Sequence, residues 1–223
     1  KVPMVEAEGA SRSLFTQGYK YMFAVLSTSE YYLAPVLDLI AQRAKAGWKS
    51  PSDLRIGMAF ENDGFSLDVR AGVLDVAKKY RMKIVIDDKL PADLSDMSAT
   101  LTKFKALKPD ILLVSGHSKG AATAARQIEE MKINASAISI THCEAAKVHV
   151  KFPKSANGIL CPTQWLTNLP NSEPIFGDAQ KYDADFKKAY PEYNTGIPYQ
   201  TAQASAAVLV FKDAFERANS FDR

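Results

Sequence analysis

Four short apolar runs set the rhythm of the middle of this chain: Leu54–Phe60, Lys83–Ile86, Ile111–Ser115 and Ala137–Ile140. Each is rich in β-branched or bulky residues and nearly free of polar interruption. Such runs suit strands buried on both faces of a parallel sheet. The segments between them have helical periodicity. Leu33, Val36, Leu37, Ile40 and Ala44 share one face of a first helix. Val69, Val73, Val76, Ala77 and Tyr80 fall at i, i+4, i+7, i+8 and i+11 of a second. Further helices are predicted over Met97–Leu107 and Ala121–Met131. Strand and helix alternate, so right-handed crossovers and a doubly wound α/β sheet are expected.

The flanks follow a different pattern. Val2–Val5 and Gly158–Thr163 read as strands, and Asp178–Tyr190 and Thr201–Ala218 as helices, the last with Ala207, Val210, Phe211 and Ala214 on one face. These elements are apolar enough to need a sheet, yet the flanks hold few strands. The expectation is one complete lobe, residues 29–157, and part of a second, built from 1–28 and 158–223. The exposed apolar surface of a partial lobe points to a homodimer or to a missing N-terminal segment held as a second chain.

Composition narrows the function. The 223 residues are 47% hydrophobic and 24% charged, with a net charge of +3, which is ordinary for a globular protein. The lysines are scattered, so no nucleic-acid partner is expected. No run reaches membrane-spanning length. The chain opens inside a strand-like run, so a signal peptide is expected to have been removed. Cys143 and Cys161 form no metal motif; a disulfide and two buried thiols are both open. There is no G-x-G-x-x-G and no Walker A lysine motif, and no cofactor is expected.

Candidate chemistry gathers after the strands. Ligands of open parallel sheets bind beyond the strands' carboxyl ends. Here those ends read Glu61-Asn62-Asp63-Gly64-Phe65, Gly116-His117-Ser118 and Thr141-His142-Cys143-Glu144. In the flanks they read Glu6-Ala7-Glu8-Gly9-Ala10-Ser11 and Thr163-Gln164-Trp165. Aromatic rings, hydroxyls and a carboxylate describe a small-molecule cleft. Each has a plainer reading: Phe65 as a staple of its helix, His117 as a cap, Glu144 as a helix N-terminal charge, Trp165 as packing.

Gly116-His117-Ser118-Lys119-Gly120 also fits the G-x-S-x-G elbow of serine hydrolases. That chemistry needs an acid and then a histidine after Ser118. Only His142 and His149 follow it, close behind, with Glu129, Glu130 and Glu144 as acids. The plain reading is that Ser118 caps the next helix. His142, Glu144 and His149 lack helical metal spacing, and no metal site is expected.

Five segments in order resemble the periplasmic substrate-binding proteins of branched-chain-amino-acid-type ABC importers, of the type I periplasmic binding fold. They are VPMVEAEGAS, LFTQGYKYMFAV, RIGMAFENDGFS, KPDILLVSGHSKGAATAARQIEEM and PYQTAQASAAVLVFKDAFERA. The resemblance implies a non-enzymatic, periplasmic binder. It would close on a small carboxylate-bearing ligand between two lobes and dock on ABC permease membrane subunits. The ligand would be an amino acid or an aromatic or aliphatic acid. It implies ligand contacts at Ala10, Ser11, Ser27, Phe65, His117, Glu144, Trp165 and Tyr199. It also implies truncation at both ends relative to the family. The alternatives are the Ser118 hydrolase and a transport-incompetent sensor or assembly module of the same fold.

Overall fold

In the computed structural model, residues 2–144, 148, 151–194 and 196–221 are described. The chain separates into two compact units. Unit one is Lys1–Ser27 with Thr163–Arg223, and unit two is Thr28–Pro162. In chain order the elements are β1 (Met4–Glu6), β2 (Met22–Ala24), α1 (Ala34–Lys45), β3 (Arg55–Glu61), α2 (Gly64–Tyr80), β4 (Lys83–Leu90), α3 (Ser98–Leu107) and β5 (Ile111–Ser115). Then come α4 (Ser118–Glu130), β6 (Ala137–Ile140), α5 (Pro153–Ala156), β7 (Ser172–Glu173), β8 (Gly177–Asp178), α6 (Ala179–Ala189) and α7 (Tyr199–Ala218).

Unit two is a four-stranded parallel sheet in the order β4-β3-β5-β6. The two middle strands are the apolar ones: all of β5 is buried, and β3 is buried from Ile56 onward. Ala59, Leu112 and Val114 pack with Leu101 and Phe104 of α3 and Ala121, Ala124 and Ile128 of α4. Strand alternation sends Ile56, Met58 and Phe60 to the other face, where α2 packs on the sheet and α1 packs on α2. Asp63 caps α2, its carboxylate accepting from the Ser66 N–H at 2.9 Å. Gly72 lets α2 press against the turn at Ser29–Tyr31; a Cβ there would lie 1.9 Å from the Glu30 carbonyl oxygen.

Two strand assignments of unit two depart from the sequence reading, and a third detail answers a point it left open. β4 runs on through Asp87, Asp88 and Lys89, charged residues that an outer strand tolerates because they point to water or to partners such as Lys103 and Arg70. Gly158–Thr163 is not a strand: Leu160 makes one parallel bridge to Ser139. A disulfide joins Cys143 to Cys161, with Cα atoms 5.4 Å apart. Bridge and disulfide together hold residues 158–162 to unit two, so its boundary falls after Pro162, later than Asn157.

Among its described residues, unit one has only small sheets. β1 and β2 pair in parallel over three residues each. β2 was not expected, since Met22-Phe23-Ala24 reads as connecting chain. β7 and β8 form a two-residue hairpin leading into α6, which Asp178 caps at the Lys181 N–H, 2.8 Å away. The buried positions of α7 are Tyr199, Gln203 and Ala207, while Val210 and Ala214 are exposed. The helix is apolar around much of its circumference, so periodicity alone did not pick the packed stripe.

Candidate functional site

The carboxyl ends of β3, β5 and β6 lie side by side in the sheet, so the residues just past them meet. Phe65 opens α2, His117 precedes α4 and His142 follows β6. Their rings converge: Phe65 to His117 at 5.5 Å, Phe65 to His142 at 5.3 Å and His117 to His142 at 5.7 Å. Tyr32 meets Phe65 edge-on at 5.1 Å. The result is a wall of four rings with polar nitrogens at its edge.

The backbone beneath is held firmly. The Thr141 hydroxyl donates to the Gly116 carbonyl at 2.7 Å and accepts from the Gly116 N–H at 3.0 Å. His142 adopts a left-handed conformation, φ 58°, which turns its ring back so that Nδ1 lies 2.9 Å from the same carbonyl. Burial, more than any charge, holds the His142 imidazole below its ordinary range, favouring the neutral ring.

Two carboxyls stand out at these strand ends. Glu61 ends β3 and is 1% exposed; burial and then the adjacent Asp63 carboxyl push it up to about 7. Its Oε2 is buried without a hydrogen-bond partner. Glu144 is pushed up to about 7 by burial, and its Oε2 is likewise buried and unpartnered. Among the described residues no contact places Glu144 against the ring cluster.

The expected unit-one residues lie elsewhere in that unit. Ala10 is buried, and Ser11 precedes a short 3₁₀ turn with its hydroxyl 3.1 Å from that of Ser13. In the turn after β1, the N–H groups of Ala7, Glu8 and Gly9 all donate to Glu6 Oε1, at 3.0, 2.8 and 2.7 Å. This turn thus already holds a carboxylate, and those bonds keep Glu6 below the usual carboxylate range. The Ser27 N–H donates to Gln164 Oε1 at 2.8 Å, as does Gln203 Nε2. Trp165 lies edge-on to Tyr182 at 5.6 Å, lining a cavity of about 300 Å³ with Phe176 and Leu209. Tyr199 is buried at the start of α7.

Ser118 is the first residue of α4, and His117, with extended backbone, occupies the cap position without a side-chain cap bond. Ser118 is therefore not the cap. Among the described residues no hydrogen bond joins Ser118 to His117 or His142: His117 Nε2 faces Asp63 and Glu61, and His142 Nδ1 faces Gly116. His149 lies outside the described residues.

The sequence names Phe65 and His117 as ligand contacts, and the structure brings both into the ring cluster. The sequence places Glu61 and His142 at the same strand ends without making them contacts, and does not single out Tyr32. The rule that found His117, a polar ring one step past a buried strand, applies equally to His142. A glutamate closing an apolar strand was the signal for Glu61. Tyr32 gave none, because it precedes a helix rather than following a strand.

A family model described as periplasmic binding protein matches residues 1–223. Among curated proteins, the Leu/Ile/Val-binding protein homolog 8 of Brucella abortus (strain 2308) is 21% identical over 130 residues, 58% of this chain and 32% of the relative. A leucine binding protein of Thermotoga maritima MSB8 superposes with a TM-score of 0.78 at 21% identity, covering 99% of this chain and 59% of that one. A solute binding protein of an ABC transporter from R. palustris, solved in complex with benzoate, gives 0.73 at 15% identity, covering 93% and 54%. The chain thus spans about a third of that curated relative and little more than half of those solved structures.

Proposed function

The chain belongs to the periplasmic binding protein family, and from that premise we propose that it is part of the solute-binding protein of an ABC importer, taking a small carboxylate-bearing ligand. The ring cluster of Tyr32, Phe65, His117 and His142 carries this reading. It lies at the carboxyl edge of a parallel sheet, where such folds bind ligands. It offers flat apolar faces and a few directed polar atoms, which is the make-up of a small-molecule site. An aromatic acid or an apolar amino acid suits it. The benzoate complex of the R. palustris protein and the leucine binding protein of Thermotoga maritima are consistent with both.

Glu144 divides the two ligand classes. Its unpartnered oxygen would accept a ligand ammonium, favouring amino acids. Ala10, Ser11, Ser27, Trp165 and Tyr199 are the contacts proposed for unit one. Capture followed by delivery to membrane permease subunits outside the cytoplasm is the corresponding role. It needs no bond chemistry, and among the described residues nothing in the geometry around Ser118 supports hydrolysis.

Calorimetric titration with amino acids and with benzoate-like acids tests this. One class should bind, and Phe65→Ala and His117→Ala should each weaken it by about 1–3 kcal/mol, the scale of a lost apolar contact or a stranded polar partner. Equal affinity in both variants would remove the ring cluster from the site. Covalent labelling of Ser118 by a fluorophosphonate would replace binding with hydrolysis.

A further inference from the structure

We propose that Glu61, Asp63 and His117 form a binding site for a divalent transition-metal ion of the zinc type. Each comes from the carboxyl edge of unit two: Glu61 ends β3, Asp63 caps α2 and His117 stands just before α4. One donor atom from each lies within 4.8 Å of the other two. His117 Nε2 is 3.7 Å from Asp63 Oδ2 and 4.0 Å from Glu61 Oε2.

Glu61 Oε2 is the independent sign of a ligand. The side chain is 1% exposed, and this oxygen has no hydrogen-bond donor although it is aimed at His117. An unpaired buried carboxyl oxygen is expensive, and a fold keeps one where something arrives to pair it. The surroundings are shaped for that carboxyl. A Cβ on Gly116 or on Gly120 would lie 2.6 Å from Glu61 Oε1, so any side chain at either would displace it. Asp63 sets a second negative charge beside it, and Asp93 adds to the field. A cation relieves the Glu61–Asp63 pair, while Asp93 already has Lys119 at 3.6 Å.

The donor set, one imidazole and two carboxylates, suits zinc and similar borderline ions, with a fourth position left for water or a ligand. Zinc bonds of about 2.0–2.2 Å set tetrahedral donors about 3.3 Å apart. Glu61 is fixed by burial and Asp63 by its cap bond to the Ser66 N–H, so the His117 side chain, 58% exposed, is the one that swings inward. The site shares His117 with the ring cluster proposed to meet the organic ligand, but zinc binding is measured with no organic ligand present.

The test is calorimetric titration of chelator-treated full chain with zinc chloride. One ion per chain should bind. Glu61→Gln, a neutral near-isostere, and Asp63→Asn, which still caps α2, should each weaken binding by more than about tenfold, since even outer-shell losses reach that scale. Circular dichroism confirms that each variant is folded, and either one alone is decisive. X-ray absorption of the zinc-loaded protein should show one imidazole and otherwise oxygen donors. Absence of binding to the unaltered chain, unchanged affinity in a folded variant, or two imidazoles on the metal (a His117–His142 site) would each overturn the proposal.

Discussion

Unit two and unit one are built from sequence of similar apolar proportion, used in different ways. In unit two the apolar residues are placed in strands that pair on both sides, and Phe60, Met58, Leu112 and Leu113 have no exposure. In unit one the strands are three residues long or less. Val2, Phe23, Val208 and Phe221 are 68%, 54%, 64% and 83% exposed. The aromatic residues of that unit instead line up along α6: Tyr182, Phe186 and Tyr190 follow one another at 6.2 and 4.7 Å. A side chain buried against two layers is held by its neighbours on every side, whereas these rings remain half-buried or exposed, packed on one another and on Trp165, Phe176 and Tyr193. Stability should therefore be concentrated in unit two.

Phe60→Ala should have the largest effect. Removing a ring with no exposure leaves a cavity and should cost about 3–5 kcal/mol, read as a lower urea midpoint. A loss no greater than that of a unit-one surface residue would break the contrast.

The next effect is electrostatic. Glu61 titrates at about 7 in the folded chain against 4.5 for the free group. Between those values the folded state keeps a proton that the unfolded state has released. Its stabilising contribution is full below 4.5 and disappears as pH rises through 7, by up to about 3 kcal/mol at 1.36 kcal/mol per unit. The lowered His142 works in the opposite sense, with stability falling as pH drops below 6.5. The difference between wild type and Glu61→Gln isolates the glutamate: the variant's thermal midpoint should fall less between pH 5 and 8. Parallel pH profiles would show that Glu61 is ordinary.

Phe215→Ser should have the smallest effect. At 39% exposure, beside Phe211 and Phe221 at 6.0 and 4.9 Å, it should change stability by less than about 1 kcal/mol. A loss of several kcal/mol would mean that unit one has a core of its own around that ring.

The same contrast explains what could be read from sequence. Ile111–Ser115 and Ala137–Ile140 were legible to the residue, because a buried strand between polar turns has sharp ends. β4 was cut short because its last residues are charged, and an outer strand does not announce its length by hydropathy. β2 was missed, and Gly158–Thr163 was over-read, because two or three residues of pairing leave no period to detect. At the site, Phe65 and His117 followed from position after a strand. The convergence of four rings did not, since it depends on the order β4-β3-β5-β6, and on the left-handed turn at His142.

The bond between Cys143 and Cys161 changes what kind of polymer this chain is. Eighteen steps of sequence separate the two residues. With them joined, the molecule is a covalent ring carrying two tails, in the unfolded state as well as the folded one. A protease that cuts once inside the ring releases nothing, and the two pieces part only when a reductant opens the sulfur bridge. Any account of how this chain survives among proteases has to begin from that ring.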